Sequence, residues 1–241
     1  MSTLFISDLH LCPSRPEINR IFFRFLENQA CAARALYILG DLFEYWAGDD
    51  DLGEPFNASI AAALARLTGS GVAAYLMHGN RDFSIGSAFA RASGIELLPD
   101  PVLLDLYGQP TLLMHGDTLC TLDREYQDFR REARSRAWID AMLAKPLAER
   151  KAAIEAMRRR SEEAKGRKPA EIMDVDPAEV GAVLRRHGYP RLIHGHTHRP
   201  ARHTHRVDGH DCERWVLADW YKSGSYLACD ESGCRAKQLP A

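Results

Sequence analysis

Seven side chains able to hold metal ions stand just past short apolar runs: Asp8, His10, Asp41, Asn80, His115, His196 and His198. Imidazoles, carboxylates and an amide make a mixed nitrogen and oxygen donor set. Such a set suits Mn, Fe, Zn, Co or Ni rather than Ca or Mg alone. It is too large for one transition ion and sufficient for two divalent metal ions when one carboxylate is shared. Asp41 is the natural bridge, because a shared carboxylate offsets the repulsion of two cations about 3.5–4 Å apart. Water held by such ions ionises near neutral pH, since bound cations lower its pKa by several units. That supplies a nucleophile without a protein base.

The elements that must position these groups can be read from the same runs. Thr3 to Asp8, Ala35 to Asp41, Val72 to Asn80, Thr111 to Asp117 and Arg191 to His194 are short, apolar and end in polar residues. They read as buried strands that deliver ligands at their carboxyl ends, where α/β sheets place them. A single Asp-x-His or Gly-Asn after a strand is ordinary turn chemistry; the weight comes from five runs that end alike. Helical spacing separates them: Ile18, Ile21, Phe22, Phe25 and Leu26 within Pro16 to Ala32, and a second helix from Phe56 to Leu67. Asp176-Pro177-Ala178-Glu179 has the N-cap, the first-turn proline and the acid of a helix start. Val102 to Tyr107 pairs through a turn with the Thr111 run, and Arg214 to Trp220 and Ser225 to Cys229 are closing strands. Strands alternating with helices predict an α/β layered fold.

Residues 123–168 have another texture: charged, alanine-rich and helical. Between Arg124 and Lys168 stand 14 Lys and Arg against 8 Asp and Glu, so this stretch is net positive in a chain whose net charge is −2. It reads as a helical lid insertion within a single domain spanning 1–241. Its basic balance suits an anionic substrate or surface, or simply a solvated helical face. Trp138, Ile139, Met142, Leu143, Ile154 and Met157 fall at helical spacing and either line a groove or pack the insertion down.

Hydrophobic content of 46% and charged content of 27% belong to an ordinary globular protein, and nothing in the net charge points to nucleic acid. The N-terminus lacks a signal-peptide pattern and no apolar run reaches the length of a membrane span. The six cysteines show no CxxC spacing, so reduced thiols are expected. His78 and His194 precede turns and read as packing or supporting groups rather than ligands. His203-Thr204-His205 repeats the His-x-His spacing without its glycine and reads as alternation along an edge strand.

Asp8-x-His10, Gly40-Asp41, Gly79-Asn80-Arg81-Asp82, His115-Gly116-Asp117 and Gly195-His196-x-His198 together resemble the motifs of the calcineurin-like metallophosphoesterases, in the family's order. The resemblance implies an αββα two-sheet sandwich. It gives one ion Asp8, His10, Asp41 and His198, and the other Asp41, Asn80, His115 and His196, with Mn as the metal.

Longer strings narrow it: Gly40 to Asp50, His115 to Arg130, Glu171 to Val175 and Trp215 to Ser225 are similar to those of the bacterial UDP-2,3-diacylglucosamine pyrophosphohydrolase family of lipid A biosynthesis. That implies cleavage of UDP-2,3-diacylglucosamine to UMP and 2,3-diacylglucosamine 1-phosphate (lipid X), by water attacking the α-phosphorus. It implies Asp41, Asn80, His115 and His196 as catalytic groups, and substrate contacts at Asn80, Arg81, Asp123, Ser161, Lys165, Lys168 and His196. The lid would clamp the acyl chains, and the protein would be peripheral on the cytoplasmic face of the bacterial inner membrane, with no protein partner evident. Leu122 and Asp176 depart from the family's usual Asp and Asn. Other metallophosphoesterase substrates, or a metal-free scaffold, are the rival readings.

Overall fold

The apolar runs become strands buried on both faces. In the computed structural model, which describes residues 1–166, 168–169 and 172–240 apart from the side chains at 164 and 165, β1 (Thr3–Ile6), β2 (Ala35–Ile38), β3 (Ala73–Met77) and β4 (Glu96–Leu98) run parallel. A second sheet holds β5 (Val102–Leu106), β6 (Gln109–Met114), β7 (Arg191–His194), β8 (Ala201–Val207) and β9 (His210–Val216), in the order β5-β6-β7-β9-β8. β10 (Ser225–Asp230) then returns antiparallel to β1, and β11 (Gly233–Gln238) closes the first sheet as β11-β10-β1-β2-β3-β4.

Side-chain alternation builds the layers. Leu4 and Ile6 join the core beneath α1 (Pro16–Asn28), α2 (Pro55–Gly69) and α3 (Ser87–Ser93), while Phe5 turns to the core between the sheets. Leu112 and Leu192 pack under α7 (Pro177–Arg186), while Leu113 and Ile193 meet Phe5, Leu39 and Met77 between the sheets. Helices on sheet, sheet on sheet and sheet on helix is the αββα sandwich, and it explains why these strands read as continuous apolar runs.

Local chemistry sets the helix ends. Pro16 opens α1 in its first turn, Glu54 accepts the backbone N–H groups of Phe56 and Asn57 at the start of α2, and Asp176 accepts from Ala178. The α-helix expected from Pro16 to Ala32 stops at Asn28, and a 3-10 turn, Ala30–Ala32, carries the chain into β2. The stretch read as helical from Asp123 onward is three helices: α4 (Arg124–Ala133), α5 (Arg136–Leu143) and α6 (Leu147–Lys165). Asp123 and Ser135 cap the first two with their side chains, and Pro146 precedes the third. The short α3 and β4 and the terminal strand β11 carry too few periodic residues to be read in advance.

One expectation is overturned. Cys229 and Cys234 form a disulfide, because the β10–β11 register sets them opposite each other with their Cα atoms 4.0 Å apart. A search for CxxC spacing does not find a pair joined across a hairpin. Cys12, Cys31, Cys120 and Cys212 are free thiols, as expected. His203 and His205 do lie on the edge strand β8.

Candidate metal centre

Parallel pairing sends the carboxyl ends of β1, β2 and β3 to one edge, and those of β6 and β7 to the facing edge of the other sheet. The two edges are tied together where His115 Nδ1 donates to the Leu39 carbonyl at 2.8 Å, and within the second sheet the Gly195 N–H donates to the His115 carbonyl at 2.9 Å. All seven candidate ligands project into this junction. Asp8, His10, Asp41, His196 and His198 have left-handed backbones, with φ between 50° and 69°. For residues with a side chain that conformation costs on the order of 1 kcal/mol each, and such strain concentrates at functional sites.

Two donor groups share one space. Asp8, His10 and His198 offer ligand atoms within 4.8 Å of one another, as do Asp8, Asp41 and His115. His198 Nε2 lies 3.3 Å from Asp8 Oδ1 and 3.4 Å from His10 Nε2, and His10 Nε2 lies 3.8 Å from Asp41 Oδ2. On the other side, His115 Nε2 and His196 Nδ1 approach Asn80 Oδ1 at 3.1 and 3.0 Å, and His115 Nε2 lies 4.0 Å from Asp41 Oδ1. Asp41 thus faces both groups.

The residues fit cations better than they fit one another. Asp8 Oδ1 and His10 Nδ1 are buried without a hydrogen-bond partner, and buried polar atoms are rarely left so. His115 gives its Nδ1–H to the Leu39 carbonyl and turns Nε2 toward Asn80 Oδ1, among carboxylates that favour positive charge there. A cation among these atoms takes the place of the proton on Nε2 and gives the unpartnered Asp8 and His10 atoms a partner.

Charge is crowded accordingly. Burial raises the Asp41 carboxyl to about 7 against the pull of His115. Burial also opposes a charged His115, but Asp41, Asp117 and Asp8 outweigh it and hold its pKa up at about 9. His196 is pushed down to about 3 by burial and by His115. Asp8 resists its burial through His198 and the other imidazoles and stays below the usual carboxylate range.

The loops are shaped to these contacts. A Cβ at Gly79 would fall 2.0 Å from Asp41 Oδ1, and one at Gly195 would fall 1.9 Å from Ser7 Oγ. Several supporting groups carried no separate signal in the sequence. Ser7 Oγ donates to Asp8 Oδ2 at 2.5 Å, and buried Asp82 accepts the backbone N–H groups of Leu42 and Gly79 at 2.8 and 2.9 Å. Asp82 follows Asn80-Arg81 directly, and that adjacency was the one available clue.

Beside the junction opens a cavity of about 580 Å³. His10, Asp41, Asn80, His196 and His198 line it together with Trp138, Ile139, Met142, Leu143, Ile154 and Met157 from α5 and α6. Arg81, Asp123, Ser161 and Lys168 line it too, whereas the side chain of Lys165 lies outside the described residues. Two of the expected substrate contacts engage each other, Lys168 Nζ approaching Asp123 Oδ1 at 2.6 Å. Tyr126 of α4 stacks against His196, with ring centroids 5.7 Å apart, and its hydroxyl donates to Asp117.

The family model for calcineurin-like phosphoesterases matches residues 1–200. The chain belongs to that family. Among calcineurin-like phosphoesterases, it is 55% identical to a protein of Aromatoleum aromaticum named UDP-2,3-diacylglucosamine hydrolase, over 97% of this chain and 95% of that one. A protein of the same name from Pseudomonas paraeruginosa is 50% identical over the full length of both chains. A third, from Stenotrophomonas maltophilia, is 52% identical over 97% of this chain and 96% of its own. The chain is therefore an enzyme of the phosphoesterase class, with donor groups suited to divalent metals.

Proposed function

We propose that the protein hydrolyses the pyrophosphate bond of UDP-2,3-diacylglucosamine, releasing UMP and 2,3-diacylglucosamine 1-phosphate for lipid A biosynthesis. The observation that carries this reading is the cavity: one space is walled both by the cluster of metal donors and by the apolar residues of α5 and α6. A substrate with a charged pyrophosphate and two acyl chains needs both walls. The names of the full-length relatives support the same substrate.

Asp8, His10, Asp41 and His198 would hold one divalent ion, and Asp41, Asn80, His115 and His196 the other; the donor set suits manganese. When bound, such ions supply a Lewis acid and a water ionised near neutral pH. The chain's own residues do the rest. Arg81 and Lys168 bring fixed positive charge to the pyrophosphate. Asn80 and His196, held between body and cavity, orient the scissile phosphate. Asp123 and Ser161 contact the sugar-phosphate region, with Lys165 assigned there by resemblance. The leaving group is a phosphate monoester and needs little protonation.

The helices of residues 123–168 act as a lid, excluding water and holding the acyl chains. Leu122, Phe129 and Leu143 are exposed on or beside it, and with its positive balance they suit an anionic bilayer. No helix among the described residues is long and apolar enough to cross a membrane. In this reading docking is peripheral, on the cytoplasmic face of the inner membrane. The test is turnover of the metal-stripped protein, with manganese added back, on this substrate against diadenosine polyphosphates, cyclic nucleotides and phosphopeptides. Comparable turnover on one of the others, or no release of UMP, would overturn the reading.

A further inference from the structure

Arg214 on β9 is buried, yet no carboxylate pairs with it among the described residues. Its Nη1 donates to His194 Nε2 and its Nε donates to His205 Nε2, each at 3.0 Å. A guanidinium has donors only, so both imidazoles must accept at Nε2. That fixes the tautomer of His194: the proton sits on Nδ1, which donates to the Gly195 carbonyl at 2.9 Å.

The Gly195 carbonyl also takes the Thr197 N–H at 2.9 Å. The Gly195–His196 peptide is planar, so a carbonyl held on one side aims the His196 N–H to the other, where it donates to Asp8 Oδ2 at 2.8 Å. Asp8 Oδ2 is then satisfied by this N–H and by Ser7, and Oδ1 is left for the donor cluster. One line of hydrogen bonds thus runs from Arg214 through His194 and the Gly195–His196 peptide to Asp8. It passes through the loop on which His196 and His198 hold their left-handed backbones.

We infer that Arg214, acting through His194, is a positioning residue for the metal-binding loop, and that His205 braces its guanidinium from β8. The inference rests on the metal-binding reading above. Packing alone does not account for the arrangement: a buried cation that hydrogen-bonds to imidazoles, with the charge of Asp174 acting on it only from beyond ion-pair distance, is costly, and an apolar side chain of similar volume would be cheaper there. What the cation provides is a rigid donor fork that a point charge cannot copy, holding two imidazoles at once. It also gives the His-x-His pair of β8 a role, through His205 rather than through metal binding.

The test uses the whole chain, stripped of metal, as wild type, Arg214→Met, Arg214→Lys, His194→Asn and the Arg214→Met/His194→Asn double variant. Melting without metal is measured first, then manganese affinity by titration of free ion. Arg214→Met should bind manganese roughly 10–100-fold more weakly, as expected for loss of a group that orients a ligand, with melting of the metal-free protein unchanged or raised. Arg214→Lys, which can reach one imidazole but not both, should fall between. The double variant should lose no more than Arg214→Met alone, because both substitutions cut one line. Affinities within twofold of wild type in both Arg214→Met and His194→Asn, additive losses in the double variant, or losses that merely track lower metal-free melting would each overturn the inference. If Arg214→Met does not fold, Arg214→Lys and His194→Asn decide it on the same criteria. A wild-type chain that binds no manganese would instead overturn the metal reading itself, and this inference with it.

Discussion

Arg81 and Glu162 meet at the cavity wall, guanidinium Nη2 to carboxylate Oε1 at 3.3 Å. Arg81 is 9% exposed and Glu162 is 62% exposed, so the pair joins a fixed cation of the body to a solvated acid on α6. An anionic substrate group that engages Arg81 must compete with that acid. Exposed pairs contribute about 1 kcal/mol or less, so Glu162→Gln should lower KM for the nucleotide substrate about two- to fivefold with kcat little changed. Arg81→Ala should raise KM and lower kcat together. Steady-state kinetics on both variants checks this, and an unchanged KM in Glu162→Gln would mean that the acid does not compete.

Asp117 ties the helical segment to the body. It is fully buried and accepts from Arg130 Nε at 2.7 Å, and from Arg134 Nη2 and the Tyr126 hydroxyl at 3.0 Å each. Asp117→Asn leaves two largely buried guanidinium groups facing a neutral amide. Breaking a buried pair from one side costs about 3–5 kcal/mol, and the lower end applies here because both arginines keep some contact with water. Urea denaturation should show a loss of about 3 kcal/mol, and amide exchange should rise most across α4. A stability loss with unchanged exchange in α4 would mean that Asp117 props the His115 loop instead.

The sequence was most legible where chemistry and periodicity coincide. Asp8, Asp41, Asn80, His115 and His196 each end a short apolar run, so strand and side chain announce one another. What was hidden depends on partners far away in the chain. Arg214 reads as one more arginine in an alternating strand until His194 and His205 are seen on either side of it. Cys229 and Cys234 signify nothing until β10 and β11 are paired in register. Asp82 looks like the tail of a motif, and only the fold shows it gathering the backbone N–H groups of the Asp41 loop. Within residues 123–168 the break at Pro146 could be read in advance, but neither the one at Ser135 nor the packing of the resulting helices around a cavity.

The metal-free protein should be most stable near pH 6.5. His194 and His196 have folded pKa values of about 4 and 3, both lowered first by burial. Below about 6.5 the unfolded chain takes up protons that the fold refuses, so this part of the stability is lost as pH falls from there toward 4, at about 1.4 kcal/mol per unit for each histidine. Asp41, raised to about 7, works against one of them over the same range. Above 6.5 the sign reverses: His115, raised to about 9, keeps a proton that the unfolded chain gives up, and stability falls as pH rises through 9. Thermal melts of stripped protein from pH 4 to 9 check this. His194→Asn should flatten the acid side only.

Removing apolar bulk from the cavity should separate lipid recognition from phosphate chemistry. Met142, Ile154 and Met157 line the same cavity as Asn80 and His196 but come from α5 and α6. If they receive acyl chains, truncation removes contact made equally in the ground state and the transition state, which raises KM and leaves kcat alone. Shaving a methionine to alanine forgoes on the order of 1–2 kcal/mol of apolar contact, so Met142→Ala and Met157→Ala should each raise KM for the diacylated substrate roughly five- to thirtyfold. On the same nucleotide sugar without acyl chains, either variant should match wild type. If the residues only pack the segment onto the body, both substrates should suffer alike and melting should fall with them. Michaelis curves on the acylated and unacylated pair, read beside melting temperatures, therefore decide between a wall that binds lipid and one that only holds the helices in place.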